Sequence, residues 1–350
     1  MISKPPVSAE ASPDSGRHAD NEASQEPLLI ATDLRRYFSL PDGLFRKSSR
    51  KVKAVDGVNL TIGAGETLGL VGESGCGKST LGRMLVRLDE PTAGDVIFEG
   101  QNISMLSEGE LKPVRRRIQM VFQNPFSSLN PRKTIGETIC EPLIVHGVGD
   151  ARSRQARAME LLDIVGLRRE HYNRYPHQFS GGQRQRIGIA RAFALEPKLI
   201  VCDEPVSALD VSIQSQILNL IEDLQRAFGV SYLFISHDLR VVEHVSDRVA
   251  VMYLGRIVEE APTAILYRSP RHPYTQALLA AVPVPDPSVE QTDIVLEGGV
   301  PNPIDPPQGC HFHPRCPLAV DRCRIEMPPL FESNGHKVRC WINGPGMHEA

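Results

Sequence analysis

The apolar positions of this chain change period several times along its 350 residues, and each change marks a predicted element. Residues 28–34 and 54–62 carry short apolar stretches of strand character. Between them lie Arg46, Lys47, Arg50, Lys51 and Lys53, a basic run that predicts a solvated hairpin loop. Thr67-Leu-Gly-Leu-Val71 is continuously apolar, as a buried strand is, and residues 80–86 continue as a helix. From 124 to 178 the pattern turns helical and proline-punctuated, with helices predicted over 134–145 and 153–165, where Met159, Leu162 and Val165 recur at helix spacing. A strand over 199–202, a helix over 212–228 and a strand over 231–235 follow. In that helix Ile213, Ile217, Leu220, Leu224 and Phe228 line one face. Strand, helix, strand in this order predicts a mostly parallel sheet, so the chain reads as an α/β core holding a helical insert.

Both ends differ from this middle. Residues 1–27 have almost no large apolar side chains and read as a disordered tail. Beyond residue 261 prolines and cysteines accumulate, which marks an appended module over 261–350. Lys and Arg total 39 against 42 Asp and Glu, so no broad basic footprint favours nucleic acid as a partner. No apolar stretch reaches the roughly 20 residues that span a bilayer, and the N-terminus lacks a basic-then-apolar leader pattern. The expectation is a soluble chain, cytosolic or attached to a membrane through another protein.

The chemistry concentrates after the 67–71 strand. Gly72, Glu73, Ser74, Gly75, Cys76, Gly77, Lys78, Ser79 and Thr80 fit the phosphate-loop pattern, between a predicted strand and a predicted helix. Glycines let consecutive backbone N–H groups turn inward around phosphate oxygens, Lys78 reaches the β- and γ-phosphates, and the Ser79 hydroxyl suits Mg2+. ATP binding and hydrolysis is the function this pattern points to. Asp203 ends an apolar strand, where a carboxylate can join the metal's coordination, and Glu204 beside it is placed to orient and deprotonate water. Ser180, Gly181, Gly182 and Gln183 open a helix predicted over 184–195 and form a second anion site. One chain cannot easily fold both anion sites onto one γ-phosphate with a whole helical insert between them.

The phosphate loop, Gln123, Ser180-Gly-Gly-Gln183, Asp203-Glu204, Ser207-Ala-Leu-Asp210 and His237 stand in the order and spacing of the ATP-binding cassette family, which residues 28–260 resemble. The resemblance implies a RecA-like P-loop core with an antiparallel β subdomain and a helical subdomain over 124–178. It implies that His237 contacts the γ-phosphate, that Gln123 reaches the metal or the water, and that an aromatic stacks on adenine. Tyr37 and Phe38 are available for that, and Phe38 is favoured. It also implies a head-to-tail pair of cassettes in which the Ser180 loop closes on the partner's nucleotide, with Asp210 at the seam.

Cys76, Cys140 and Cys202 are scattered and read as small buried residues. Cys310, Cys316, Cys323 and Cys340 cluster with His311 and His313, and four thiolates suit either tetrahedral zinc or an iron–sulfur centre; the spacing does not choose. His272-Pro-Tyr-Thr-Gln-Ala-Leu278, Gly309-Cys-His-Phe-His-Pro-Arg-Cys316-Pro and Val338-Arg-Cys340-Trp341 resemble the C-terminal extension of oligopeptide and dipeptide importer ATPases. That resemblance implies a [4Fe-4S] cluster on the four cysteines, with zinc or free thiols as the alternatives. It further implies the second ATPase subunit type of a peptide importer, at the cytoplasmic face of the membrane. Its partners would be a second ATPase subunit in a heterodimer, two transmembrane permease subunits and, indirectly, a solute-binding protein. Nickel or glutathione as cargo, a soluble cassette ATPase working on ribosomes or DNA, and a redox or metal sensor are the rival expectations. Phe126 and Leu129, in the proline-bounded stretch after Gln123, are expected to meet a short helix of the membrane subunit.

Overall fold

The computed structural model describes residues 26–42, 46–124, 128–282 and 298–343. Two sheets organise them. An antiparallel sheet in the order β2-β1-β4-β5 is built from β1 (Leu29–Asp42), β2 (Arg46–Ile62), β4 (Ala93–Phe98) and β5 (Gln101–Asn102). An eight-stranded sheet in the order β11-β12-β10-β9-β3-β8-β7-β6 forms the centre. Its strands are β3 (Thr67–Val71), β6 (Ile118–Val121), β7 (Leu199–Asp203), β8 (Ser231–Ile235), β9 (Arg248–Tyr253), β10 (Arg256–Pro262), β11 (Phe331–Ser333) and β12 (His336–Val338).

The pairs β9·β3, β3·β8, β8·β7 and β7·β6 are parallel, as the strand-helix-strand order predicts. Both faces of this sheet are covered, and the side chains alternate between two cores. Leu199 and Val201 of β7, with Leu233 and Ile235 of β8, pack with Leu81, Val96 and Phe98 under the antiparallel sheet. Ile200 and Cys202, with Tyr232 and Phe234, pack toward Ile139, Leu162, Ile187 and Ile217 of the helices. A parallel sheet buried on both sides needs the near-continuous apolar strands that this sequence has.

The helical insert begins at Ile135–Val145, where Thr134 and Glu137 form a reciprocal cap, and continues with Ala151–Ile164, capped by Asp150. Along the second helix Ala158, Leu161, Leu162 and Val165 are buried while Met159 is half-buried, so the apolar stripe is turned slightly from the predicted one. In Val211–Phe228 the buried face is Ile217, Leu218, Leu220, Ile221 and Leu224; Ile213 is half-buried and Phe228 exposed at the helix end. The basic stretch read as a loop belongs instead to β2, which pairs with β1. Phe38 pairs with Val52 and Ser39 with Lys51, through several bulges. Antiparallel pairing satisfies the backbone there.

Beyond residue 261 the chain returns to the same sheet. β12 pairs with β10, placing Glu259 opposite Val338. Glu259 is fully buried and accepts hydrogen bonds from the backbone N–H groups of Arg271 (2.6 Å) and His272 (3.0 Å) and meets His336 Nε2 at 2.6 Å. His272 caps the helix Pro273–Ala280 by accepting from the Tyr274 N–H at 3.1 Å. Burial pushes its imidazole down to about 4.

This fixes the direction of a pH effect. An unfolded histidine takes a proton below roughly pH 6.5, whereas folded His272 resists until about 4, so protons favour the unfolded state within that window. His272 should therefore cost the fold about 2 kcal/mol between pH 6.5 and 5, at 1.36 kcal/mol per unit. In urea unfolding at both pH values, His272→Asn, which retains a capping oxygen, should lose less stability on acidification than the parent by about that amount.

Candidate functional site

The parallel strands deliver their C-terminal ends to one edge, and the predicted chemistry gathers there. After β3 the chain turns through residues 72–77 into the helix Lys78–Leu85. Gly72, Gly75 and Gly77 have φ of 152°, 79° and 110°. A Cβ at Gly77 would lie 2.0 Å from the Ala54 carbonyl oxygen, and one at Gly72 would lie 2.2 Å from that of Met252, so neither position has room for a side chain. Lys78 is buried and its Nζ donates to the carbonyls of Gly72 (2.7 Å) and Glu73 (3.0 Å), which draws the ammonium across the mouth of the loop. Cys76 is buried below, its thiol pushed up by burial; Ser74 is exposed and Thr80 half-buried. A loop of this form, closed by a helix N-terminus, can receive phosphate oxygens.

Ser79 joins the loop to β7, its Oγ donating to Asp203 Oδ1 at 2.8 Å. Asp203 is 6% exposed, and burial raises its carboxyl, opposed by the Ser79 hydroxyl and aided by the charge of Glu204. A divalent cation beside Ser79 and Asp203 would relieve that cost, so these residues fit Mg2+. Glu204 follows with φ 46°, its N–H donating to the Ile235 carbonyl at 3.0 Å. A left-handed non-glycine residue costs of order 1–3 kcal/mol, and here the turn aims the carboxylate back across the strand ends. Gln123 Nε2 donates to Glu204 Oε2 at 2.8 Å, and His237 Nδ1 lies 3.3 Å from Oε1. Gln123, Glu204 and His237, from three different loops, meet at one carboxylate.

The remaining predicted residues stand elsewhere. Ser180 and Gln183 cap the helix Gly181–Phe193 reciprocally, and a Cβ at Gly182 would sit 2.4 Å from Ile213 Cγ2, with Gly181 beside Leu209. Among the described residues no hydrogen bond or ion pair joins Ser180, Gly181, Gly182 or Gln183 to the 72–80 loop. Asp210 precedes Val211–Phe228 and is exposed. Phe38 is 38% exposed on β1 with the Arg36 guanidinium 4.7 Å above its ring, whereas the Tyr37 hydroxyl is tied to Asp56. Leu129, expected at an outer contact surface, is 3% exposed and packs inward with the helical insert; Phe126 lies outside the described residues.

Comparison with known proteins decides the family. Residues 55–207 match the ABC transporter family, and residues 258–323 match the C-terminal region of oligopeptide/dipeptide transporters. A probable peptide ABC transporter ATP-binding protein, y4tS of Sinorhizobium fredii, is 55% identical over 91% of this chain and 91% of its own length. The oligopeptide transport ATP-binding protein AppF of Bacillus subtilis is 55% identical over 91% and 98%. This chain belongs to the ABC transporter ATP-binding proteins. The cassette MJ0796, solved as a dimer in a post-hydrolysis state with ADP and Pi, superposes on the ABC ATPase with a TM-score of 0.60 at 31% identity, over 67% of this chain and 98% of that one. Its fold is accordingly the ABC ATPase cassette, and its activity uses ATP with Mg2+.

The expected metal cluster in this ABC ATPase is overturned. Among the described residues, which include Cys310, Cys316, Cys323 and Cys340, no group of three or more His, Cys, Asp or Glu side chains is arranged to hold a metal ion. The four are free cysteines. The Cys310 N–H donates to the Cys323 carbonyl at 2.8 Å, and Cys323 and Cys340 are buried. Burial, and after it the charges of the neighbouring cysteines, push the thiols of Cys310 and Cys316 up to about 11 and raise that of Cys340. Neither a [4Fe-4S] cluster nor zinc fits these residues as they stand. What sequence reasoning missed is Arg315, which pairs with Glu73 of the phosphate loop across 242 positions.

Substitution at two glycines separates shape from conformational preference. Gly75 has open space around it, so Gly75→Ala meets only its positive φ and should cost about 1–2 kcal/mol. Gly77→Ala adds a backbone clash and should cost at least about 3 kcal/mol in urea unfolding of the cassette, with the larger loss of ATP binding.

Proposed function

We propose that this ABC ATPase hydrolyses ATP to power peptide import through separate membrane-spanning permease subunits. The observation that carries the reading is the convergence of Gln123 and His237 on Glu204, beside the Ser79–Asp203 pair and at the strand ends that carry the phosphate loop. Peptide is favoured over nickel or glutathione because residues 258–323 match the oligopeptide/dipeptide C-terminal region and the relatives at 55% identity are named for peptide transport.

In this reading residues 28–260 are the nucleotide-binding domain and 261–350 the C-terminal extension. The amides of residues 75–80, with Lys78, hold the phosphates. Ser79, Asp203 and Gln123 hold Mg2+, which neutralises charge on the β- and γ-phosphates when bound. Glu204 orients a water and takes its proton, His237 contacts the γ-phosphate, and Phe38 offers its exposed ring to adenine. Ser180, Gly181, Gly182 and Gln183 serve the nucleotide of a second ATPase subunit in a heterodimer. Asp210 lies at that seam beside Val211, whose 78% exposure suits a covered interface.

The permease contact is assigned to a groove of about 650 Å³ between the core and the helical insert. Phe122, Pro142 and Val145 contribute apolar lining, and Arg115, Glu141 and Arg191 charged groups, a mix suited to a short amphipathic helix. Among the described residues no helix is long and apolar enough to cross a membrane. We place the chain at the cytoplasmic face, held there by the permease subunits.

Two variants test the catalytic assignments in opposite directions. Lys78→Ala should weaken ATP binding more than about tenfold, while Glu204→Gln should bind ATP within about threefold of the parent yet lose at least about 100-fold in phosphate release. Unimpaired release by Glu204→Gln would remove it as the base. For the groove, a cysteine at position 145, which is 57% exposed, should crosslink to a cytoplasmic loop of the permease, whereas one at the 89% exposed position 105 should not. Equal crosslinking from both, or none from 145 in any nucleotide state, would count against docking there.

A further inference from the structure

The phosphate loop contains a carboxylate that its chemistry does not call for. Glu73 lies between Gly72 and the amides that would meet a highly anionic ligand, and a like charge there opposes binding. The structure places a cation on it. Arg315, 7% exposed, donates from both terminal nitrogens to the Glu73 carboxylate, Nη1 to Oε2 at 2.8 Å and Nη2 to Oε1 at 3.0 Å. This is a two-point pair of the strong kind, and it holds the guanidinium's affinity for its proton above the ordinary value. A second contact comes from the same part of the chain, since the Glu73 N–H donates to the Tyr274 hydroxyl at 2.8 Å. Tyr274, Tyr253 and Phe312 pack with ring centroids 4.7 to 5.4 Å apart, and the Tyr253 hydroxyl lies 3.5 Å from Arg315, so the guanidinium is mounted on a rigid aromatic base.

We propose that Arg315 is a positioning residue for nucleotide binding: it fixes Glu73 and neutralises it, so that the C-terminal extension sets the affinity of the phosphate loop for ATP. The inference rests on the reading of residues 72–80 as the phosphate site and goes beyond it, because Arg315 lies outside the cassette motifs and, among the described residues, its hydrogen bonds to the loop go to Glu73. The C-terminal extension thereby becomes part of the ATP site. A partner that moved the extension would weaken ATP binding without contacting the nucleotide.

The mechanism predicts opposite signs for its two members. In the full-length chain, Arg315→Met leaves the carboxylate uncompensated and should raise KM for ATP about tenfold with kcat changed less than about twofold. Arg315→Lys retains the charge and should raise KM less than about threefold. Glu73→Gln frees the positive charge and should lower KM about two- to threefold, and adding it to Arg315→Met should return KM to within about threefold of the parent. A clamp that merely tied two segments together would make Glu73→Gln as harmful as Arg315→Met; that result, or an unchanged KM in Arg315→Met, overturns the proposal. Should Arg315→Met not fold, the sign of the KM change in Glu73→Gln alone decides. Lys78→Ala measured alongside keeps the two claims apart. Lost ATP binding in Lys78→Ala with a normal KM in Arg315→Met rejects the role of Arg315, whereas undiminished binding in Lys78→Ala rejects the phosphate-loop reading itself.

Discussion

The parallel pairing of β3, β8, β7 and β6 is the constraint on which the site depends, because strands that run the same way must end on the same edge. That edge receives the 72–77 turn after β3, His237 after β8, Asp203 and Glu204 at β7 and Gln123 after β6. Ligands of open α/β sheets bind outside the carboxyl ends of the strands for this reason. Register matters as much as direction. Asp203 pairs with Ile235, and a slip of one residue would turn the Asp203 side chain to the opposite face, away from Ser79, and would exchange the two buried cores.

Holding several polar groups at one edge has a conformational cost that the surrounding packing must offset. Glu204 adopts a left-handed backbone, and the glycines at 72 and 77 run against the carbonyls of Met252 and Ala54. The strands beneath are buried on both faces, so the turns are anchored on a rigid support. The C-terminal extension adds to it. β12 continues the central sheet beside β10, Glu259 is fully buried with its oxygens satisfied, and Arg315 reaches back to the loop. The cassette and its extension therefore share one sheet and one ion pair at the nucleotide edge.

How much of this was legible in the sequence follows the range of the interaction. The phosphate-loop turn and the strand-helix-strand order are local patterns, and the structure reproduces them because fewer than 40 residues determine each. The family resemblance supplied Gln123, Glu204 and His237 as a set, and the structure brings those three together. Directions of side chains were harder. Leu129 looked exposed in a proline-bounded stretch yet turns into the helical core, and Met159 sits at the edge of a stripe that Leu161 fills. The cysteine spacing counted sulfurs without their orientation or burial, and the thiols do not converge on a metal. The pair Glu73–Arg315 spans 242 positions, and no pattern within either segment announces it.

The central claim is that ATP hydrolysis at this edge drives peptide across a membrane. Its most direct test reconstitutes the full-length chain with the permease subunits, together with the second ATPase subunit and solute-binding protein proposed for it, in vesicles, and measures peptide uptake and phosphate release together. Uptake of di- or oligopeptide in proportion to ATP hydrolysis, with both lost together when Glu204 is replaced by Gln, is the predicted result. ATP hydrolysis that continues with no peptide of any length entering the vesicles would contradict the account.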